Sequence, residues 1–555
     1  MQMERRSTAS GFDTLVVNGY QIHNDTNPVM DAKKYANEHF KVNTVHILFG
    51  NGLGYYAEAF KSLMSTSKEY LIVLEPLELK ERLEVPDVAY YYGTDVKDLD
   101  TLLRQTITKA DNLRIVIAPN YEHIFADYYE EAVKIIRQFV EVKKSDISTI
   151  RSFSTEWMTN YISNMQYTAD DAPIDHLYKR YNCPMVIASG GPSLTKQLPQ
   201  LKKIRNHIIL IAAGSTINTL LHHDIVPDYV VSIDGSEANF NHFKERYFEN
   251  TTLLYNLVHH PHIRKQFKSG YYFKDIFLHE AEAHFQKYVQ EPVSTIAGGA
   301  SVATFALSIA RFLSDGPVAV IGQDLAYTNM LSHAESNKGQ YTITDEHKAS
   351  RRMFTAEGYY GDEVLTDPPF FMMKESFEAI VPNFGVPIYN CTEGGIFIHH
   401  MTNIPFTEFL EKHIKTSPVQ QALPDKKPTV VASYNLVTEA ELKAHNLLLR
   451  LLSDNLILIR KNKYQIVLDN KTLRKLGKNE EKVHELLPKS PVSLVVNSIN
   501  FDVETMFPKM PNETEVEFFT RENIANIVML EKLIFATNKS KDAVKELSNQ
   551  LTVKS

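Results

Sequence analysis

Short apolar runs bounded by glycine, aspartate or asparagine recur along most of the chain, and they fall into two groups. The first comprises VHILFG at 45–50, YLIVLEP at 70–76, VAYYYG at 88–93 and LRIVIAP at 113–119. Helix-like segments separate these runs, so residues 1–150 read as a small α/β domain. The second group, MVIAS, IILIAAG, YVVSID, TLLYNLV, PVAVIG and VPIYN, lies within 181–415. Runs this short and this apolar suit strands buried on both faces of a mostly parallel sheet. The passage at 151–180 between the groups is polar and largely helical in pattern, and reads as a connector. After Pro424 and Lys426-Lys427-Pro428 the pattern changes to leucine and lysine at helical spacing, as in EAELKAHNLLLRLLSDNLILIRK. That change predicts a helical C-terminal domain over 425–555. The fold class is therefore α/β, in a chain of three main parts.

Composition narrows the function. A length of 555 residues with 43% hydrophobic content suits about three or four globular domains. The net charge of -8, with no long Lys/Arg block, excludes a nucleic-acid binder that works by neutralising phosphates. Cys183 and Cys391 are the only cysteines, too few for a disulfide framework or a cysteine zinc cluster, so a reduced cytoplasm is the expected setting. MQMERRSTASGFDTL carries no apolar core, and no uninterrupted apolar run reaches the ~18 residues of a membrane span. No membrane insertion is expected.

In a doubly wound sheet, ligands bind beyond the carboxyl ends of the strands. Those positions are small and polar here. VIASGGPSL at 186–194 places Ser189, Gly190, Gly191, Pro192 and Ser193 between a strand and a helix start, a pattern that lets backbone N–H groups approach an anion. It is neither a Walker loop nor a full dinucleotide fingerprint. The next two strand ends bring Gly214-Ser215-Thr216 and Asp234-Gly235-Ser236-Glu237. STIAGGASVATFALSIA at 294–310 offers a second anion-ready helix start at Gly298, Gly299 and Ser301, so the two helix N-termini could clasp one phosphate. PVAVIGQDLAYT at 317–328 delivers Gln323, Asp324, Tyr327 and Thr328 to the same rim, followed by His333 and Glu335. Asp234 and Asp324 also suit helix capping. The paired histidines His222-His223 and His399-His400 point apart on regular elements and lack a third ligand at a convincing spacing. In the N-terminal block, ILFGNGLGYYAEAF at 47–60 followed by Glu75 has the outline of a cofactor fingerprint, but the favoured reading is a structural turn without a ligand.

Taken in order, IASGGPSL at 187–194, AAGSTINTLLHHDIVPDYVVSIDG at 212–235, GGASVATFAL at 298–307, IGQDLAYT at 321–328, SHAES at 332–336, EGYYGDEVLTD at 357–367 and YNCTEGGIFI at 389–398 resemble the motility-associated factor (Maf) family. NGYQIHNDTNPVMDAKKYA at 18–36 and LFGNGLGYYAEAF at 48–60 look like the start of that family. These are bacterial flagellin glycosyltransferases whose central domain groups with an archaeal 6-hydroxymethylpterin pyrophosphokinase. The middle block is also similar to small bacterial sialyltransferases, which implies a Rossmann-like central domain of sialyltransferase type, a GT-A variant. The match runs through Ser189, Gly190, Pro192 and Ser193, then Gly214 and Ser215, then Asp234, then Gly298 and Gly299, then Asp324 and Tyr327. It departs at the second and third turns, where those enzymes carry asparagine.

The resemblance implies inverting transfer of pseudaminic or legionaminic acid from its CMP donor to Ser/Thr hydroxyls of flagellin, in the cytoplasm. Such a reaction needs growing negative charge stabilised at the phosphate, positive charge stabilised at the sugar, and a base for the acceptor hydroxyl. The expected assignments are helix N-termini for the first, Asp234 or Asp324 for the second, and His333 for the third, with Asp324 or Glu237 as alternative bases. No obligatory metal is expected, although Asp234 or Asp324 could coordinate a divalent ion. Flagellin and the CMP-sugar are the expected partners, and an oligomer is left open. The alternatives are a 6-hydroxymethylpterin pyrophosphokinase-like enzyme and a non-enzymatic flagellin-binding assembly factor.

Overall fold

Two parallel sheets organise the chain, one in each of two compact units. The computed structural model describes all residues except 66–68, 80–82, 108–111, 415–418, 420–433, 463–468, 511–512 and 555. The first unit comprises 1–152, 458–470 and 498–529, and the second 153–457, 471–497 and 530–555.

The four apolar runs of the N-terminal block form one sheet in the order Ala89–Tyr92, Leu71–Glu75, Thr44–Phe49, Asn112–Ile117, parallel throughout. Thr44–Phe49 and Leu71–Glu75 are buried at every residue, as expected for strands with both faces covered. One covering helix, Pro28–His39, starts cleanly because Asn27 accepts from the Met30 N–H and Pro28 sits in the first turn. An antiparallel three-stranded sheet, Met3–Ser7, Asp13–Val17 and Tyr20–Gln21, precedes it.

In the second unit all six predicted runs enter a nine-stranded sheet. Its order is Thr402–Asn403, Ile388–Asn390, Val318–Ile321, Met185–Ala188, Ile209–Ala213, Tyr229–Ser232, Phe248–Asn256, Phe267–Phe273, Ala172–Pro173. Every pairing is parallel. The chain winds outward from Met185–Ala188 to Phe267–Phe273 and then returns to lay Val318–Ile321 on the other side of the starting strand. The direction of winding therefore reverses between Met185–Ala188 and Val318–Ile321, which makes that gap the switch point where such sheets bind ligands. The helix Val302–Leu313 packs against both of these strands and against their neighbours Ile209–Ala213 and Tyr229–Ser232. It is apolar almost all round and continuously buried from Ala303 to Ala310, the pattern of a core helix.

The helix Ala126–Asn164 runs through the boundary expected at 150. The C-terminal part, expected as one domain over 425–555, is built of the helices Tyr434–Lys461, Asn470–Leu486, Ser493–Met506 and Glu515–Lys554. These helices divide between the two units. The linker expected at Pro424 and 426–428 lies outside the described residues. Among those described, no helix is long and apolar enough to cross a membrane.

Candidate functional site

At the switch point the two strands continue into paired turns. The Ser189 N–H donates to Ile321 O at 2.9 Å and the Gly191 N–H to Gly322 O at 2.8 Å. Asp324, 1% exposed, fills the space above. Its carboxylate accepts from the Ser193 N–H at 3.1 Å, the Ser193 hydroxyl at 2.7 Å and the Thr328 hydroxyl at 2.6 Å. Burial pushes the Asp324 carboxyl above its usual range, and bonds from Thr328 and Ser193 oppose that shift. Gly191 is required by this contact, since a Cβ there would stand 2.2 Å from Asp324 Oδ1 and 2.6 Å from Gly322 O. The phosphate clasp expected of the two helix starts meets a side chain of the chain itself at the first of them. The start of the helix Leu194–Ile204 already faces an anion, and that anion is the chain's own Asp324.

A compact loop covers the adjacent glycine. Leu331 and Thr342 pair at its base, and its tip is pinned by Ala334 N–H to Gly190 O at 2.9 Å and Glu335 N–H to the Thr195 hydroxyl at 3.1 Å. Gly190 is thereby faced by side chains from two segments, this loop and the start of the helix Thr216–His222. A Cβ on it would lie 3.2 Å from Asn337 Nδ2, 3.3 Å from Thr216 Oγ1 and 3.6 Å from His333 Cδ2. Ser189 Oγ, Gln323 Oε1 and Asn337 Nδ2 are buried and have no hydrogen-bond partner. Their residues are 5%, 5% and 6% exposed. Buried polar atoms left unpaired are costly, and each calls for a partner such as an ordered water, an ion or a ligand. His333 is half-buried. Burial holds its imidazole below the usual range, the Gly339 backbone pulls it up, and the charges of His242 and Arg351 push it further down.

The remaining predicted residues occupy two settings. Gly214, at φ +52, lies 3.5 Å by its Cβ position from Val302 Cγ1, so the second turn and the second helix start are neighbours. Ser215 begins the short helix Thr216–His222 without a side-chain cap. The second helix start is largely satisfied from within. The Gly299 N–H donates to the Thr304 hydroxyl, the Ala300 N–H to Ser376, and the Ala303 N–H to Ser301. Gly298 makes room for the Phe305 ring and Gly299 for Ser376. Asp234 is exposed and accepts from the Ser236 N–H at 2.8 Å, and Glu237 pairs with His260 at 3.2 Å. Burial, then the charges of Asp234 and Glu237, push the nearby Glu156 carboxyl up. Tyr327 does not reach the rim with a free hydroxyl. It is 3% exposed and donates to Asp367 at 2.7 Å, which also accepts from Arg351 Nε at 2.6 Å.

Sequence reading missed Asn337, His242 and Lys338. Lys338 Nζ donates to Asn241 O at 3.1 Å and approaches Glu245 at 3.4 Å, tying the loop to the segment after Tyr229–Ser232. The only available signal was position, because Asn337 and Lys338 directly follow SHAES. Among the described residues no three His, Cys, Asp or Glu side chains gather in a way that could hold a metal.

The N-terminal glycine turn is also self-occupied. Glu75, 1% exposed, accepts from the Asn51 and Gly52 N–H groups at 2.7 Å each and from Leu77 N–H at 2.9 Å. The Tyr121 hydroxyl donates to it at 3.0 Å. A Cβ on Gly50 would enter the Tyr121 ring, and one on Gly52 would stand 2.5 Å from His23 Nε2.

Comparison with known proteins gives first a family match over part of the chain and then a fold. Residues 159–330, which carry every strand of the nine-stranded sheet except Ile388–Asn390 and Thr402–Asn403, match the family model described as 6-hydroxymethylpterin diphosphokinase MptE-like. No curated protein matches the chain. A solved structure does: the Maf glycosyltransferase from Magnetospirillum magneticum AMB-1, at 13% identity and a TM-score of 0.52, covering 100% of this chain and 92% of that one. The resemblance drawn from the motifs thus extends to the architecture, and the protein has the fold of a Maf glycosyltransferase along its whole length.

Proposed function

We propose that this protein is a glycosyltransferase that moves a nonulosonic acid, pseudaminic or legionaminic, from its CMP donor to Ser/Thr hydroxyls of flagellin in the cytoplasm, with inversion. The observation that carries this reading is the set of buried, unpaired polar atoms at the switch point, Ser189 Oγ, Gln323 Oε1 and Asn337 Nδ2, beside a half-buried imidazole. The donor's phosphate and sugar hydroxyls supply the partners these atoms lack. His333 presents to Gly190 the ring edge that carries Cδ2, and the adjacent Nε2 takes the proton of the acceptor hydroxyl. An imidazole held below its usual range is neutral at physiological pH and so free to accept it. Asp324 acts as a positioning residue, fixing the turn on which Gly190 stands. Asp234, exposed two strands further along, offsets positive charge developing on the sugar.

His333→Ala is expected to leave CMP binding within about threefold of wild type while transfer falls by about 10²–10⁴-fold. Intact mass of flagellin, produced with the donor pathway and either variant, reads the transfer. Unchanged modification by the variant overturns the assignment of the base. The match over 159–330 favours one second reading, pyrophosphoryl transfer from ATP to a hydroxymethylpterin. A thermal shift with ATP and none with CMP would select it.

A further inference from the structure

We infer that Asn337 is the hydrogen-bond donor that holds an anionic oxygen of the ligand over Gly190. The inference rests on the switch-point crevice being the donor site. Three observations lead to it. First, the amide is oriented: its Oδ1 accepts from the Gly339 N–H at 2.9 Å, and its Nδ2 stands 3.2 Å from the Cβ position of Gly190. Second, that Nδ2 is buried on a residue 6% exposed and makes no hydrogen bond. The turn itself needs only the acceptor, and aspartate would supply that equally well. An amide here therefore leaves a desolvated donor that the fold does not use.

Third, the loop holds this donor in place before any ligand arrives. The Asn337 N–H donates to Ala334 O at 3.3 Å and the Gln340 N–H to Asn337 O at 3.0 Å. The Ser332 hydroxyl donates to Gly339 O at 3.0 Å, and Lys338 fastens the outer side of the loop to Asn241 and Glu245. Ser336, immediately before, takes a left-handed backbone at φ +63, a conformation that costs a serine energy and persists where surrounding contacts enforce it. A donor fixed in this way pays little ordering cost on binding. A desolvated N–H donor bonds most strongly to an oxygen that carries negative charge. Two sources fit that chemistry, the phosphate of a nucleotide and the carboxylate of a nonulosonic acid.

Asn337→Asp tests the inference, because it keeps the shape and the bond to Gly339 N–H while replacing the donor with a negative charge. The probes are CMP, ATP and free N-acetylneuraminic acid, each titrated against the full-length wild type and variant. The expected result is at least about tenfold weaker binding by the variant, with a melting temperature within about 2 °C of wild type. Loss confined to CMP and ATP assigns the oxygen to phosphate, and loss confined to the sugar acid assigns it to carboxylate. If the wild type binds ATP but not CMP and the variant loses ATP, Asn337 keeps its role while the nonulosonate reading fails. Variant binding within about twofold of wild type overturns the inference, as does a wild type that binds none of the three.

Discussion

Asp324 and Glu75 perform the same task in different units, each seating a buried carboxylate on the backbone N–H groups of a glycine turn. For Glu75 the balance of burial against four donors leaves the carboxyl raised to about 7. A carboxyl whose folded value lies above its unfolded value of about 4.5 binds more protons in the folded state between those limits. Its contribution to stability is therefore fully present below about pH 4.5 and is lost as the pH rises through about 7, a change of about 3 kcal/mol. Asp324 carries the same sign, since burial raises it too. Glu75→Gln removes the titration. Urea denaturation at about pH 5 and about pH 8 should show the variant gaining on wild type at the higher value, and parallel pH dependence would remove Glu75 from this role.

The turn, rather than any single residue, is the element that couples fold to site, and its two glycines separate the two functions. Gly191 has no room for a side chain, because its Cβ position is 2.2 Å from Asp324 Oδ1 and 2.6 Å from a backbone oxygen. Gly191→Ala should cost about 1–3 kcal/mol of stability and disorder the cap. Gly190 meets only side-chain atoms, the nearest at 3.2 Å, so Gly190→Ala should fold within about 1 kcal/mol of wild type. Its methyl group would stand in the crevice, and CMP binding should weaken at least about tenfold. Thermal melts and CMP titration distinguish the pair, and normal binding by Gly190→Ala would place the ligand elsewhere. The position of this turn was legible in the sequence, because short runs such as MVIAS and PVAVIG ending in Gly, Ser and Asp suit only buried strands with open ends. What fills the turn was not legible. Local pattern exposes the N–H groups of 189–194, whereas their partner lies 131 positions from Ser193 and meets it only through the reversal in strand order. Asn337 escaped for the same reason, since nothing in its own neighbourhood reports that Gly190 lies above it.

At the scale of the molecule, the leucine-rich C-terminal pattern correctly signalled helices, but an apolar stripe does not say which surface it covers. In the second unit the answer is partly ionic. Glu441, 2% exposed on the helix Tyr434–Lys461, pairs with His284 and with Lys287 at 3.5 Å, and accepts from the Tyr288 hydroxyl at 2.8 Å. His284 uses its other nitrogen on the Tyr161 hydroxyl at 2.8 Å, and His445, one turn beyond Glu441, meets the Ser540 hydroxyl at 2.8 Å. Segments far apart in sequence thus share one buried polar network. Burial raises the Glu441 carboxyl, and His284, Lys287 and Tyr288 together overcome that effect and pull it down to about 2. With a folded value below the unfolded 4.5, the stabilisation is present above about pH 4.5 and is lost as the pH falls toward about 2. Glu441→Gln leaves His284 and Lys287 facing a neutral amide in a desolvated site, where removing one partner of a buried pair costs about 3–5 kcal/mol. Denaturation near pH 7 should show that loss, and the gap between variant and wild type should narrow as both are taken below about pH 4. A gap that stays constant with pH would mean that Glu441 acts here by shape and hydrogen bonding, with no part played by its charge.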